Sequence, residues 1–215
     1  MAGSGKVKPR LRGVSHYIAF FVAGVASIAL WLSPLTGIAY VGGLVYAGSV
    51  VLLFGLSGMY HRLTWSMRAR RIFRQLDHSG IFFLIAGSYT AFWTLSPVEA
   101  RSPISLGVMW GSAIFGVIAF VVWTDMHRAL RAATYVVLGL STIPTATRLP
   151  ELFGWPRTLL VLGGGVVYIL GAVVYAQRWP NPSPRIFGYH EVFHLMVILA
   201  AALQFTAIVQ LHWAS

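Results

Sequence analysis

The chain contains no cysteine. Disulfides, thiol nucleophiles and thiolate metal ligands are therefore excluded. Any metal must be held by His, Asp or Glu, which suits a hard or borderline ion. Charge is scarce as well: 10% of the residues are charged, where a soluble domain carries about 25%. Acidic residues are the scarcest, five Asp+Glu against 16 Lys+Arg. The polar surface that would cover a soluble globule is missing. What is there instead is 57% hydrophobic residues and a mean hydropathy of +0.73. A membrane-crossing helix needs roughly 20 apolar residues, and about seven such runs with short loops use nearly the whole sequence. The expected fold is an all-α membrane protein, a seven-transmembrane helix bundle with no room for a separate soluble domain.

The apolar runs place spans over residues 16–33, 37–61, 76–95, 104–123, 132–147, 158–176 and 188–212. They form one transmembrane domain over 16–212, after a basic cytoplasmic tail over 1–15. The first run follows Lys6, Lys8, Arg10 and Arg12, as in a signal peptide, but lacks a clear A-x-A site and reads as a retained span. Span five is the weakest, short and holding Pro144, which should kink or end it. In the connection 62–74, Arg68, Arg70, Arg71 and Arg74 surround Trp65 and Phe73, which suits a short helix lying on the headgroups. Gly163-Gly164-Gly165 lets helix backbones approach closely, and the proline-rich stretch 179–184 is a stiff linker. Trp31, Trp93, Trp155 and Trp213 read as interfacial anchors.

A net charge of +11 in a soluble protein would suggest nucleic acid. Here the basic residues flank apolar runs, which is the pattern of topology signals and anionic-headgroup contacts. Nucleic acid is not an expected partner; membrane lipids are. With seven spans, all Lys and Arg except Arg101, Arg148 and Arg157 fall on the side of the N-terminus. By the positive-inside rule that side is the cytoplasm, so the C-terminus lies outside. The expected location is a membrane, crossed several times.

Ionisable side chains at membrane depth are costly and need a reason. Span two ends with Ser57 and His61, span three begins with Asp77 and His78, and span seven begins with His190, Glu191 and His194. The topology puts all three groups at one level, on the cytoplasmic side. Ser57 lies one turn from His61, about 6 Å deeper on the same face. His190 and His194 repeat that spacing, and two His at i and i+4 can hold one metal ion. His61 supplies a third nitrogen, and three His with an open position is the donor set of a catalytic zinc. Asp77 is then placed to orient or deprotonate water, or to bond a ligand histidine.

Structural readings compete. An intramembrane His can donate between helices. Asp77 can pair with Arg74, and Ser57 can bond its own helix backbone. The joint occurrence at one depth favours a shared site. His190-Glu191-Val192-Phe193-His194 also spells H-E-x-x-H, in which Glu would be the general base of an intramembrane metalloprotease. His78 points about 100° away from Asp77 on a helix and is not an expected ligand. His16 and His127 are on the correct side but outside the pattern, and His212 belongs to the far side.

The chain resembles the haemolysin III family, the bacterial branch of the progestin and adiponectin receptor (PAQR) superfamily. The resemblance covers nearly the whole length. It rests on Ser57-x₃-His61, on Leu76-Asp77-His78 followed by Ile85-Ala86-Gly87-Ser88-Tyr89-Thr90, and on His190-Glu191-Val192-Phe193-His194. It implies a seven-helix bundle with the N-terminus inside, in a bacterial plasma (inner) membrane. It implies Zn2+ held by His61, His190 and His194, with Asp77 holding the water on the metal and Ser57 nearby. The superfamily includes alkaline ceramidases, so the implied chemistry is zinc-dependent hydrolysis of a lipid amide or ester, with Asp77 and Ser57 catalytic and a lipid or fatty-acyl substrate. Bacterial relatives are associated with membrane lipid and fluidity homeostasis. The rival expectations are a non-enzymatic sensor clamped by structural zinc, the H-E-x-x-H protease, and a pore-forming haemolysin. Nothing in the sequence reads as a water-soluble toxin precursor.

Overall fold

The structure, a computed structural model, describes residues 8–214. The start of the basic tail, with Lys6, lies outside the described residues. Among them are nine α-helices: α1 (Val14–Trp31), α2 (Gly37–Arg62), α3 (Met67–Leu95), α4 (Pro103–Val122), α5 (Arg128–Leu140), α6 (Ile143–Ala146), α7 (Leu149–Phe153), α8 (Trp155–Gln177) and α9 (Tyr189–His212). The described residues contain no strand, only an isolated bridge between Ser183 and Phe187.

Five helices, α1, α2, α4, α8 and α9, are long and apolar enough to cross a membrane. With 29 residues α3 is longer than any of them, but its first three turns carry Arg68, Arg70, Arg71, Arg74, Asp77 and His78. That polar half keeps its hydropathy below theirs. The outward surface is apolar: Val25 is 69% exposed and Phe115 73%. Exposed apolar side chains on this scale would be an aggregation hazard in water and are the expected lining toward lipid. The chain is an integral, multi-pass, all-α membrane protein.

Helices adjacent in sequence pack side by side, α1 on α2, α2 on α3, α3 on α4, α4 on α5, α5 on α8 and α8 on α9, and α9 returns to α1. The ring has α3 and α9 in contact across its middle. Small residues set the closest approaches. A methyl on Gly87 would overlap the Ser49 hydroxyl between α3 and α2, and one on Gly164 would lie 3.0 Å from the Ala200 carbonyl between α8 and α9.

Two elements differ from the sequence reading. The basic connection is no separate surface helix. Ser66 caps α3 by accepting from the Ala69 N–H at 3.3 Å, so Arg68 to Arg74 form the first turns of α3 itself. Trp65 stacks on Phe73 at 3.8 Å beside them. The fifth apolar run is not one helix over 132–147. It begins at Arg128, ends at Leu140 and resumes as α6 with Pro144 in its first turn, where a missing N–H costs nothing. The described part of the basic tail, from residue 8 onward, is bonded to the rest of the chain. The Arg10 and Leu11 N–H groups donate to the carbonyls of Arg185 and Ile186 at 3.0 and 3.1 Å, and α1 starts at Val14.

Candidate metal centre

The C-terminal turns of α2 carry Ser57 and His61, α3 carries Asp77 at its third turn, and α9 opens with His190 and His194. All five side chains are buried. Burial is enforced locally: α2 packs along α3 and α8 along α9, and the Tyr189 N–H at the start of α9 donates to Asn181 Oδ1 at 3.1 Å. Each polar side chain therefore faces the interior rather than lipid, as its cost in hydrocarbon demands.

His61, His190 and His194 each present a ring nitrogen, and these nitrogens lie within 4.8 Å of one another. The Nε2 atoms of His61 and His190 are 3.2 Å apart. Two nitrogens at the usual distance from one tetrahedral zinc would be about 3.3 Å apart. His194 Nδ1 is buried without a hydrogen-bond partner. A converging set of imidazole nitrogens with an orphaned buried atom is what a cation would satisfy, and the all-imidazole donor set suits zinc. The residues present fit a metal ion.

Asp77 Oδ2 lies 3.6 Å from His61 Nε2 and 3.6 Å from His78 Nδ1. Ser57 is beside the Asp77 carboxyl. His78 does not join the cluster: its Nε2 is 2.7 Å from Arg131 Nη1, and its carbonyl accepts from the Tyr135 hydroxyl at 3.1 Å. Glu191 is also engaged elsewhere. One carboxylate oxygen pairs with Arg12 and the other accepts from the Gly188 N–H at 2.8 Å. His16 stacks on His194, ring centroids 3.8 Å apart. His127 caps α5, and His212 lies at the opposite end, bonded to Ser33 at 2.9 Å. Near the C-terminal end of α2, partial burial and the guanidiniums of Arg62, Arg70 and Arg12 hold the Lys8 ammonium below the ordinary lysine value.

A cavity of about 490 Å³ starts at this cluster. Ser57, Asp77, His190 and His194 line it at one end, Trp93 and Gln204 at the other. From His190 to Gln204 is about 21 Å of helix. The walls between are mainly apolar side chains of α2, α3, α5, α8 and α9, with Ser88, Arg131, Tyr135, Tyr168 and Tyr175 among them. Leu140, Ile143, Leu162 and Val166 line the cavity and are also 42%, 52%, 44% and 55% exposed.

Arg12 and Arg131 are the neighbours that sequence reasoning missed, because they carried the same signal as every other flanking base. His16, on the correct side but outside the pattern, lies against the cluster by its contact with His194.

Comparison with known proteins gives a consistent result. A family model described as "Haemolysin-III related" matches residues 4–205. The chain is 30% identical over 175 residues to "Hemolysin-3" of Bacillus cereus, covering 79% of this chain and 74% of that protein. It is 29% identical over 163 residues to "Hemolysin-3 homolog" of Bacillus subtilis, covering 75% and 72%. It is 32% identical over 187 residues to "Adiponectin receptor protein" of Drosophila melanogaster. That match covers 77% of this chain but 41% of the fly protein, so the chain spans less than half of the receptor's length.

Proposed function

The chain belongs to the haemolysin-III related family, within the group that includes the adiponectin and progestin receptors, and we propose that it is a zinc-dependent intramembrane hydrolase of a lipid amide or ester, serving membrane lipid homeostasis. One observation carries this reading. The three-histidine cluster, with a carboxylate and a hydroxyl beside it, opens into an elongated apolar cavity long enough for an acyl chain. A structural metal clamp would need no such cavity. Substrate enters from the bilayer past Leu140, Ile143, Leu162 and Val166, the exposed residues of the cavity wall. The chain crosses the membrane seven times, α3 and the α5–α7 unit adding two crossings to those of α1, α2, α4, α8 and α9. Its N-terminus faces the cytoplasm.

His61, His190 and His194 would hold the zinc. Zinc held there would supply a Lewis acid that polarises the scissile carbonyl and lowers the pKa of water toward about 7. Asp77 takes the proton from the attacking water and passes it to the departing amine or alcohol. Ser57 donates a hydrogen bond to the oxygen that gains charge. The net reaction adds one water across the acyl C–N or C–O bond. The apolar wall binds the acyl chain and keeps bulk water from the reacting carbonyl.

The test is turnover of a panel of amide and ester lipids by purified protein. Asp77→Asn is expected to lower turnover by about a hundredfold or more while zinc content stays at the wild-type level. Unchanged turnover would remove Asp77 from the chemistry. A second reading, a sensor with structural zinc, draws on the receptor name of the Drosophila relative. It predicts that chelation lowers the melting temperature while no lipid in the panel is ever cleaved.

A further inference from the structure

Residues 8–16 touch the histidine cluster from several directions. Lys8 Nζ donates to the carbonyl of His61 at 2.5 Å, at the helix end where carbonyls lack an internal partner. Gly13 adopts a left-handed conformation with φ 78°, and a Cβ there would overlap His61 Cβ. His16 lies flat on His194, 7° from parallel, with its Nε2 3.3 Å from the His194 carbonyl. Arg12 pairs with Glu191, which stands between His190 and His194 in the first turn of α9.

We propose that residues 8–16 form a clasp that governs metal retention at the histidine cluster, with Arg12 as a positioning residue acting through Glu191. The inference rests on the reading that this cluster holds a metal. The Glu191 side chain is 2% exposed. A carboxylate so buried is tolerable only while paired and hydrogen-bonded. Arg12 supplies the charge and the Gly188 N–H the second bond. Without Arg12 the first turn of α9 must shift until the carboxylate finds water. His190 shares that turn with Glu191 and His194 follows one turn later on the same face, so both rings would move relative to His61. Metal affinity depends on ring orientation, which outer partners fix. Arg12 thus does more than mark topology: it locks a segment far away in sequence onto the metal-binding helix.

The experiment uses full-length protein purified in detergent and loaded with zinc. Release to an excess of a chromogenic chelator is followed for wild type, R12Q, R12K and E191Q, with H190A as a control lacking the site. Melting temperatures of the metal-free forms are measured alongside. R12Q and E191Q are expected to release zinc about tenfold faster than wild type. R12K, which keeps the charge, should return to within about threefold of it. Release from R12Q and E191Q at the wild-type rate overturns the clasp, and a lowered melting temperature alone would leave Arg12 a purely structural residue. If R12Q does not fold, E191Q carries the test, because its glutamine can still accept from Gly188 and Arg12 is 20% exposed to water. Wild type that binds no zinc sinks the metal reading and this proposal together; zinc-loaded wild type with unchanged variants sinks the clasp alone.

Discussion

Two carboxylates approach the histidines, and their surroundings assign them different tasks. Asp77 faces the cavity and lies 3.6 Å from His61. Glu191 has both oxygens taken, by Arg12 and by the Gly188 N–H. The geometry therefore disfavours the H-E-x-x-H protease, whose base must be free to reach water. Elemental analysis is expected to find about one zinc per chain, lost in both His61→Ala and His190→Ala. Metal retained in either variant would mean that α2 and α9 do not share a site. Glu191→Gln should keep most lipid turnover at saturating zinc, whereas a protease would lose peptide cleavage outright. The five site residues were legible because each is a polar side chain in an apolar run, at a helix spacing that topology brings to one level. Glu191 was open because five residues of pattern say nothing about what holds the carboxylate. Arg12 was not legible: its partner is 179 residues away, and no local signal separates a latch from a topology charge.

Elements were legible where hydropathy and helix continuity coincide, as in α1, α2, α4, α8 and α9. They diverge in α3, because hydropathy sees lipid-facing surface but not helix propensity. Arginine and glutamine are good helix formers, and Ser66 starts the helix nine residues ahead of the apolar run. The fifth run shows the converse. Its apolar residues continue past Leu140, but the helix stops and restarts around Pro144. The glycine triplet of α8 gives a sharp test of close packing. A Cβ on Gly164 would lie 3.0 Å from the Ala200 carbonyl, while one on Gly165 would meet nothing within 4 Å. Gly164→Val is expected to cost about 1–3 kcal/mol by overpacking, read as a lowered melting temperature in detergent. Gly165→Val should melt with the wild type. Equal melting of the two variants would mean that α8 and α9 are not held at this distance.

Across the whole molecule, the two ends of the bundle differ in charge. Arg10 and Leu11 bond to Arg185 and Ile186, so the N-terminal segment and the α8–α9 linker share one end with the metal cluster. His212 bonds to Ser33, so the α1–α2 turn and the end of α9 share the other. Most of the Lys and Arg belong to the first end, and Arg101, Arg148 and Arg157 to the second. On the proposed topology, the positive-inside rule would face the first end toward the cytoplasm. Because the chain has no cysteine, single introduced thiols report topology without background. Pro182 and Glu99 are both exposed, in the α8–α9 linker and the α3–α4 turn. In intact cells, a membrane-impermeant maleimide is expected to label Glu99→Cys and to reach Pro182→Cys only after permeabilisation. The opposite pattern would reverse the orientation and place the metal cluster at the outer face. Labelling of both positions in intact cells would mean that α4 to α8 cross the membrane an even number of times. Seven crossings would then be wrong, and the α5–α7 unit would enter and leave by the same side.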